Sequence, residues 1–338
     1  MYNDSMPTLE EVLRATSRTF AIGIEGLPNP LREEMRVSYL ILRVSDYLED
    51  NTTLLQKEKA ALLELWAAVL EGGPLDSALL SHLRTTADPS PDSVAAHHAP
   101  QIVEALQALS TLAQAPIRAH TRDSTLGMAR WVLRGPDIGT ELDLDDYMHE
   151  VAGRVGYLIT DLFSIASGKV RENREEMMAL GRDFGLALQT VNIVRGIPAD
   201  IERGWFFVPR AFLPDSITSG RDFLEEVNRP EAVLIVERLL VKATRHFEAA
   251  EEYITKLPSL QGKMRYFCLL PYFFGVRTLA LSKENPEVLT AEVKLRREEV
   301  RAIAWRTRLL GWSNRWIRSY SADLANTHHS PARYSPAK

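Results

Sequence analysis

The feature that most constrains this chain is a helical periodicity that hardly lapses from one end to the other. Apolar residues recur at three- and four-residue steps, as at Val37, Leu40, Ile41 and Val44, the spacing that places side chains on one face of an α-helix. No run alternates apolar and polar residues for more than a few positions, as a half-buried strand requires. Trp205-Phe-Phe-Val-Pro209 reads as a short extended piece. Thr8 with Glu11 reads as a capping box opening a first helix, and Pro28 and Pro30 separate it from a second over about 31–50. Further helical segments are expected at about 54–71, 76–84, 93–114, 117–134, 143–168, 172–196, 229–256, 261–283 and 291–319. Breaks at Gly72-Gly73-Pro74, Asp88-Pro-Ser-Pro91 and Gly135-Pro136 read as inter-helix connections rather than a domain linker. There is no internal repeat. The expectation is one all-α domain over residues 1–325, followed by a polar, proline-containing tail over 326–338 that frays.

Composition narrows the function. The chain has 338 residues, 45% of them hydrophobic, which is ample for a core. A net charge of −5 argues against a general nucleic-acid binder, which needs a basic footprint. The single cysteine, Cys268, rules out a disulfide framework and a Cys-rich zinc site, and fits a reducing compartment. The first residues carry acids where a signal peptide carries Lys or Arg. The best apolar run, Phe267 to Val276, contains Pro271 and is too short to cross a bilayer. The expected location is the cytoplasm, with at most peripheral contact with the inner membrane face.

The most informative segment runs from Tyr39 to Asp50. On a helix Tyr39, Arg43, Asp46 and Asp50 step by four, three and four and share one face, with Glu49 three residues after Asp46. Leu40, Ile41, Val44 and Leu48 are left to pack. Two aspartates one turn apart repel and call for a cation or a base. Carboxylates at this spacing suit Mg2+, which binds through one or two carboxylates plus substrate phosphates. A solvated helix end with an Arg43–Asp50 type pair fits the same pattern.

Two further segments carry polar groups on apolar helices. Gln189 to Gly204 puts Asn192 and Gly196 on one face, with Asp200 one turn later if the helix continues. Pro198 lacks an N–H and is expected to kink or end it. Arg195 and Arg203 are candidates for phosphate oxygens. Tyr147 to Tyr157 holds Gly153 and Gly156 inside a helix, where each glycine costs roughly 1 kcal/mol relative to Ala. Either a neighbouring helix or a ligand approaches closely there.

Together these segments resemble the squalene/phytoene synthase family, and its squalene synthases most closely. Thr16-Ser-Arg-Thr-Phe20 is similar to the family's N-terminal Ser-Arg-Ser-Phe element, and Tyr39 to Asn51 to its first aspartate-rich motif. Tyr147 to Gly156 matches the Tyr-x-x-x-Val-Ala-Gly-x-Val-Gly block, and Gln189 to Gly204 sits at the second aspartate-rich motif. Phe267-Cys-Leu-Leu-Pro271 resembles a later Phe-Cys-x-x-Pro block, and Val293-Lys-Leu-Arg296 an element of the reductive squalene enzymes. The matches run in order from about residue 16 to 297.

The resemblance implies an isoprenoid synthase fold, a helical bundle around a central cavity. It implies Mg2+-dependent head-to-head condensation of two farnesyl diphosphates through a cyclopropyl intermediate, presqualene diphosphate, then reduction to squalene with NADPH. Carried over residue by residue, Asp46, Asp50 and Asp200 hold metal–diphosphate, and Tyr147 assists proton removal or stabilises the carbocation. Ser17, Arg18, Arg43 and Arg195 hold diphosphate. Tyr39, Gln189 and Asn192 line the site, and Lys294 and Arg296 touch NADPH phosphates. A carbocation needs a dry apolar and aromatic wall. Phe20, Val151, Val155, Leu158, Leu188, Phe267, Leu270, Tyr272 and Phe273 are candidates for it or for ordinary core.

The chain departs from the family pattern at its second motif. Gly196 stands where an aspartate directly follows Asn-x-x-Arg, Pro198 follows, and Ala199 replaces the acid before Asp200. Two outcomes are open: coupling with Glu202 or another acid as substitute, or ionisation of a single diphosphate with a different product, as in a cyclase or hydrolase. A phytoene-type product from a longer diphosphate, and a non-catalytic protein that binds a prenyl lipid or assists assembly, are the rivals. Glu150 stands where the family often has an aromatic and is a candidate for the polar end of the cavity. Lys294 to Arg318 carries eight basic and two acidic residues with Trp305, Trp312 and Trp316. That composition fits an interfacial helix touching a membrane or a packed helix with a solvated basic face. His97-His98 and His328-His329 have no partner at metal-ligand spacing. The protein is expected to be a monomer.

Overall fold

The structure, a computed structural model, describes residues 7–85 and 90–326. Seventeen α-helices are described, joined by one π-helical turn and three short 3-10 turns, and the described residues form no sheet. In chain order they are α1 (Leu9–Thr16), α2 (Arg18–Glu25), α3 (Leu31–Asp50), α4 (Gln56–Glu71), α5 (Ser77–Thr85), α6 (Pro91–His97), α7 (Ala99–Ala108), α8 (Thr111–Arg134), α9 (Glu141–Met148), α10 (Arg154–Ala166), α11 (Gly168–Glu172), α12 (Arg174–Glu202), α13 (Gly220–Leu224), α14 (Arg229–Lys256), α15 (Gly262–Ser282), α16 (Arg297–Leu310) and α17 (Asn314–Asn326). The last of the 3-10 turns, Pro286–Leu289, precedes an irregular run to Arg296.

The local signals act as their chemistry requires. Thr8 and Glu11 cap each other's backbone N–H groups at the start of α1. Pro30 precedes α3, and Gly72 closes α4 at φ 110°, a left-handed turn that favours glycine. Trp205-Phe-Phe is extended, with Phe206 bridging Asp137. The expected helix over 93–114 is instead three elements, because His98 and Leu109 leave helical geometry. The expected helix over 143–168 is interrupted by the π turn His149–Gly153, and the expected helix over 291–319 starts at Arg297 and breaks at Gly311. Pro198 does not end α12, which runs on to Glu202 and closes with the Arg203 N–H on the Ala199 carbonyl at 3.1 Å. Asn326 still belongs to α17, and residues 327–338 lie outside the described residues, as does the first half of the proposed Asp88–Pro91 break, whose Ser90 and Pro91 open α6.

Two apolar clusters make the core. One is built around α3, α4, α8, α10 and α15; the other joins Tyr147, Leu186, Ile193, Phe207, Phe223 and Leu239 between α9, α12 and α14. Helices α10 and α12 meet at glycines. A Cβ on Gly156 would lie 1.9 Å from the Gly181 carbonyl oxygen, and one on Gly185 would lie 2.2 Å from that of Ala152. No larger residue fits without parting the helices. The glycines expected to permit close approach therefore serve helix packing, and Gly156 also borders a cavity. Gly156→Ala should destabilise the protein by about 1–3 kcal/mol in urea unfolding, whereas Gly168→Ala, where nothing lies within 4 Å of the new Cβ, should be near neutral. Equal midpoints for the two would contradict this packing.

Candidate active site

Helices α2, α3, α9, α10, α12, α14 and α15 surround a cavity of about 490 Å³. Its floor is apolar: Val151, Val155, Ile159, Phe184, Leu188 and Phe267. Its mouth is ionic. Arg43, Asp46, Glu49 and Asp50 come from the last turns of α3, Asp92 from α6, Asp200 from α12 and Arg203 from just beyond it. The stepping of α3 predicted from sequence is realised.

The mouth is a linked set of opposite charges. Arg43 pairs with Asp46 and reaches Asp92 at 3.3 Å. Arg203 pairs with Asp50 at 2.9 Å and with Asp200 at 2.5 Å, tying the two acidic segments together. Glu49 is 6% exposed, and its Oε1 has no hydrogen-bond partner. Burial, then Asp50 and Asp46, push its carboxyl well above the usual range. Burial pushes Asp46 up to about 7, with Asp92 and Asp50 adding to it and Arg43 opposing. Asp200 is raised by burial and Asp50 against the pull of Arg203. Carboxylates crowded in this way are short of positive charge.

That shortage is the test of whether Mg2+ fits. The turn carrying Asp46, Glu49 and Asp50 fits it, with an orphaned buried oxygen and oxygen donors of the right hardness. Among the described residues no three His, Cys, Asp or Glu side chains are grouped to hold a metal by themselves. Oxygen ligands would also have to come from a bound phosphate, as Mg2+ sites commonly arrange. The second segment offers Asp200 alone, already engaged by Arg203.

Above the floor stands an aromatic group. Tyr147, 5% exposed, stacks on Phe207 at 4.7 Å between centroids and meets Trp131 edge-on at 5.6 Å; Trp205 stacks on Phe207 at 5.3 Å. Burial, with Glu49 and Asp50 adding, holds the Tyr147 phenol well above its ordinary value. Tyr147 therefore presents a neutral hydroxyl and a π face. On the other side Phe20 packs on Tyr39 at 5.7 Å.

Phe20, Tyr39, Val151, Val155, Gln189, Asn192 and Phe267 line the cavity, as expected from sequence. Ser17 caps α2 by accepting the Phe20 N–H and lies outside the lining, so it supports the wall rather than forming it. Arg18 opens α2, but its side chain lies outside the described part of the structure. Arg195 does not line the cavity: its guanidinium turns away to Glu292. Lys294 pairs with the same Glu292 at 2.8 Å, and Arg296 lies exposed at the start of α16. Neither lines the cavity. Glu150 also faces elsewhere, held by Arg130 and Arg154 against Gly127. Leu158, Leu270, Tyr272 and Phe273 are buried core and absent from the lining.

Sequence reasoning missed Asp92, Trp205, Phe207, Phe184 and Tyr253. Asp92 is brought in by α6, and Trp205 and Phe207 by the chain reversal at Gly204 (φ 86°). Neither periodicity nor motif spacing marks such positions.

A family model for squalene/phytoene synthase matches residues 13–299. The chain belongs to the squalene/phytoene synthase family. It is 32% identical over 293 residues to the Botryococcus squalene synthase of Botryococcus braunii, covering 85% of this chain and 60% of that protein. It is 28% identical over 298 residues to the squalene synthase of Rattus norvegicus, covering 87% of this chain and 68% of that protein. The chain thus spans about 60% of the length of the Botryococcus relative. A solved structure of TcSQS with a bound ligand superposes with a TM-score of 0.82 at 24% identity, over 96% of this chain and 92% of that one. A dehydrosqualene synthase with a bound ligand gives 0.60 at 16% identity, over 92% and 96%. The fold is therefore the all-α squalene synthase fold expected from the resemblance.

The charge shortage has a pH signature. Asp46 in the unfolded chain ionises near pH 4, whereas in the folded protein it holds its proton to about pH 7. Between those values the folded state binds more protons, so stability falls as pH rises through that window. Asp46→Asn should raise the melting temperature of metal-free protein by a few degrees at pH 8, with the gain vanishing towards pH 4. An unchanged or lower melting temperature at pH 8 would contradict the assignment.

Proposed function

We propose that this chain is a Mg2+-dependent prenyltransferase that condenses two farnesyl diphosphates head to head to presqualene diphosphate, and carries that product on to squalene with NADPH. The observation that carries the reading is the placing of a cation-deficient carboxylate mouth over an apolar, aromatic cavity in a member of this family.

Asp46 and Asp50 would hold Mg2+, with Glu49 beside them. Arg43 and Arg203 offer N–H donors to diphosphate oxygens. The chemistry Mg2+ supplies is charge neutralisation of a diphosphate leaving group. The chain's own part is to keep the allylic carbon dry and facing π electrons. Tyr147, Trp205 and Phe207 present ring faces, whose quadrupole attracts a cation, and Val151, Val155 and Leu188 exclude water that would quench it. The neutral Tyr147 hydroxyl adds a dipole at the boundary between mouth and floor. The NADPH half rests on the resemblance of Val293 to Arg296. Lys294 and Arg296, which lie outside the cavity lining, would touch the NADPH phosphates.

One observation favours a second reading. With Gly196 and Ala199 in the second segment, a single metal-bound diphosphate could ionise, giving a cyclic or hydrolysed product. Incubating purified protein with farnesyl diphosphate and Mg2+, with and without NADPH, separates the readings by mass spectrometry. Squalene only with NADPH is the expected result. Presqualene diphosphate in both tubes removes the reductive half. Farnesol or a cyclic hydrocarbon supports single ionisation. Unchanged C15 and C20 diphosphates would sink the enzyme reading and leave a prenyl-lipid-binding protein. Asp50→Asn should lower kcat by about a hundredfold or more, since a group acting on transition-state charge in a low-dielectric site is worth that much.

A monomer at the inner membrane face of the cytoplasm completes the proposal. No helix among the described residues is long and apolar enough to cross a membrane. On α16 and the turn after it, Trp305, Leu309 and Trp312 are 65%, 50% and 60% exposed and share a stripe with the exposed Arg301 and Arg308. Tryptophan with arginine on one face suits an anionic lipid interface. The protein should sediment with vesicles containing phosphatidylglycerol and not with neutral ones, and Trp305→Ser with Trp312→Ser should abolish sedimentation. Equal partition of the double variant would refute this contact.

A further inference from the structure

We infer that Arg203 stands in for one metal ion of this site. Its guanidinium, held between Asp50 and Asp200, supplies positive charge where the second acidic segment cannot recruit a cation. The chain would then bind a prenyl diphosphate with one divalent cation fewer than the same site with a complete second motif. This rests on the prenyl diphosphate reading above.

The second segment is poor in donors for three linked reasons. Gly196 has no side chain, Ala199 has no polar atom, and Asp200 alone remains. The space a residue 196 side chain would take is already occupied: a Cβ there would lie 2.9 Å from Asp200 Oδ2 and 3.5 Å from Oδ1. Glycine lets the Asp200 carboxylate fold back over the helix. A second carboxylate at 196 would have to displace it. Asp200 is 8% exposed, so its charge requires a partner inside the protein.

Arg203 is that partner, and its position is built rather than incidental. Helix α12 carries through Pro198 and ends at Glu202, which puts Arg203 one turn after Asp200 at a helix C-terminus, where positive charge is favoured. Gly204 then reverses the chain at φ 86°. From there the guanidinium spans the mouth, with Nη1 2.9 Å from Asp50 Oδ1 and Nη2 2.5 Å from Asp200 Oδ1. It lines the cavity beside Trp205. A guanidinium carries five N–H donors and keeps its charge at every physiological pH. Two contacts are used by the aspartates, so further N–H groups are available to a phosphate oxygen. The Asp50 side chain stays 49% exposed, open to a cation on the first segment, whereas that of Asp200 is 12% exposed.

Counting cations tests this without turnover. Mn2+ serves as probe, and farnesyl S-thiolodiphosphate, which does not ionise readily, as ligand. Bound Mn2+ per chain at saturating ligand is read by electron paramagnetic resonance of free Mn2+, and ligand affinity by calorimetry. The wild type is compared with Arg203→Gln, Arg203→Lys and the triple variant Gly196→Asp/Ala199→Glu/Arg203→Gln, each checked for an unchanged circular dichroism spectrum. The triple variant should bind one more Mn2+ than wild type. Arg203→Gln should weaken ligand binding by roughly tenfold or more with no gain in Mn2+, the loss expected when a charge-assisted hydrogen bond is removed. Arg203→Lys, which keeps the charge, should recover part of it. Equal Mn2+ counts in wild type and triple variant, or wild-type affinity in Arg203→Gln, would overturn the inference and leave the prenyl diphosphate reading intact. No ligand binding to wild type at any Mn2+ concentration would overturn both.

Discussion

The rest of this structure depends on one constraint: negative charge gathered at the rim of an apolar cavity with too little positive charge to balance it. Asp46, Glu49, Asp50, Asp92 and Asp200 meet Arg43 and Arg203 there. The consequences are raised carboxyl groups at 46, 49 and 200 and an unpaired oxygen on Glu49. A fold tuned only for stability would not place these groups together, because burying unbalanced charge costs free energy. The arrangement makes sense when a metal-bound anion completes it. Stability is then traded for a site that gains most from its ligand.

The helical frame exists to hold that rim above that floor. Glycines 156, 181 and 185 bring α10 and α12 into contact, so residues of both helices can line one cavity. The π turn at His149–Gly153 falls between Tyr147 and Val155 and shifts the helix face just where the lining begins. Ser17 shows how support works at one remove. Its hydroxyl caps α2 through the Phe20 N–H, which helps to hold Phe20 against Tyr39 on the cavity wall.

Much of this was legible in the residues. Tyr39, Arg43, Asp46 and Asp50 lie within one helix, so spacing alone puts them on one face. Asn192 shares a helix face with Gly196 by spacing, whereas Tyr147, Val151 and Gln189 follow from the family resemblance, to which the order of the motifs points. What spacing could not show was direction across the fold. Arg195 sits on the same helix as Asn192, yet it turns to Glu292 because a carboxylate from a distant segment lies there. Asp92 reaches the cavity on a separate short helix, and Trp205 and Phe207 follow the turn at Gly204, placements that leave no periodic trace. Pro198 does not end its helix for a physical reason: a proline removes one hydrogen bond, but a packed 29-residue helix continues through it.

The central claim is that the rim is completed by a metal-bound diphosphate. Its most direct test is the Mg2+ dependence of thermal protection by a non-hydrolysable farnesyl diphosphate analogue. A site short of positive charge predicts that analogue and Mg2+ each raise the melting temperature little alone and strongly together. Equal protection by the analogue with Mg2+ and with excess chelator would contradict the account, because the acidic rim would then not be the element that receives the diphosphate.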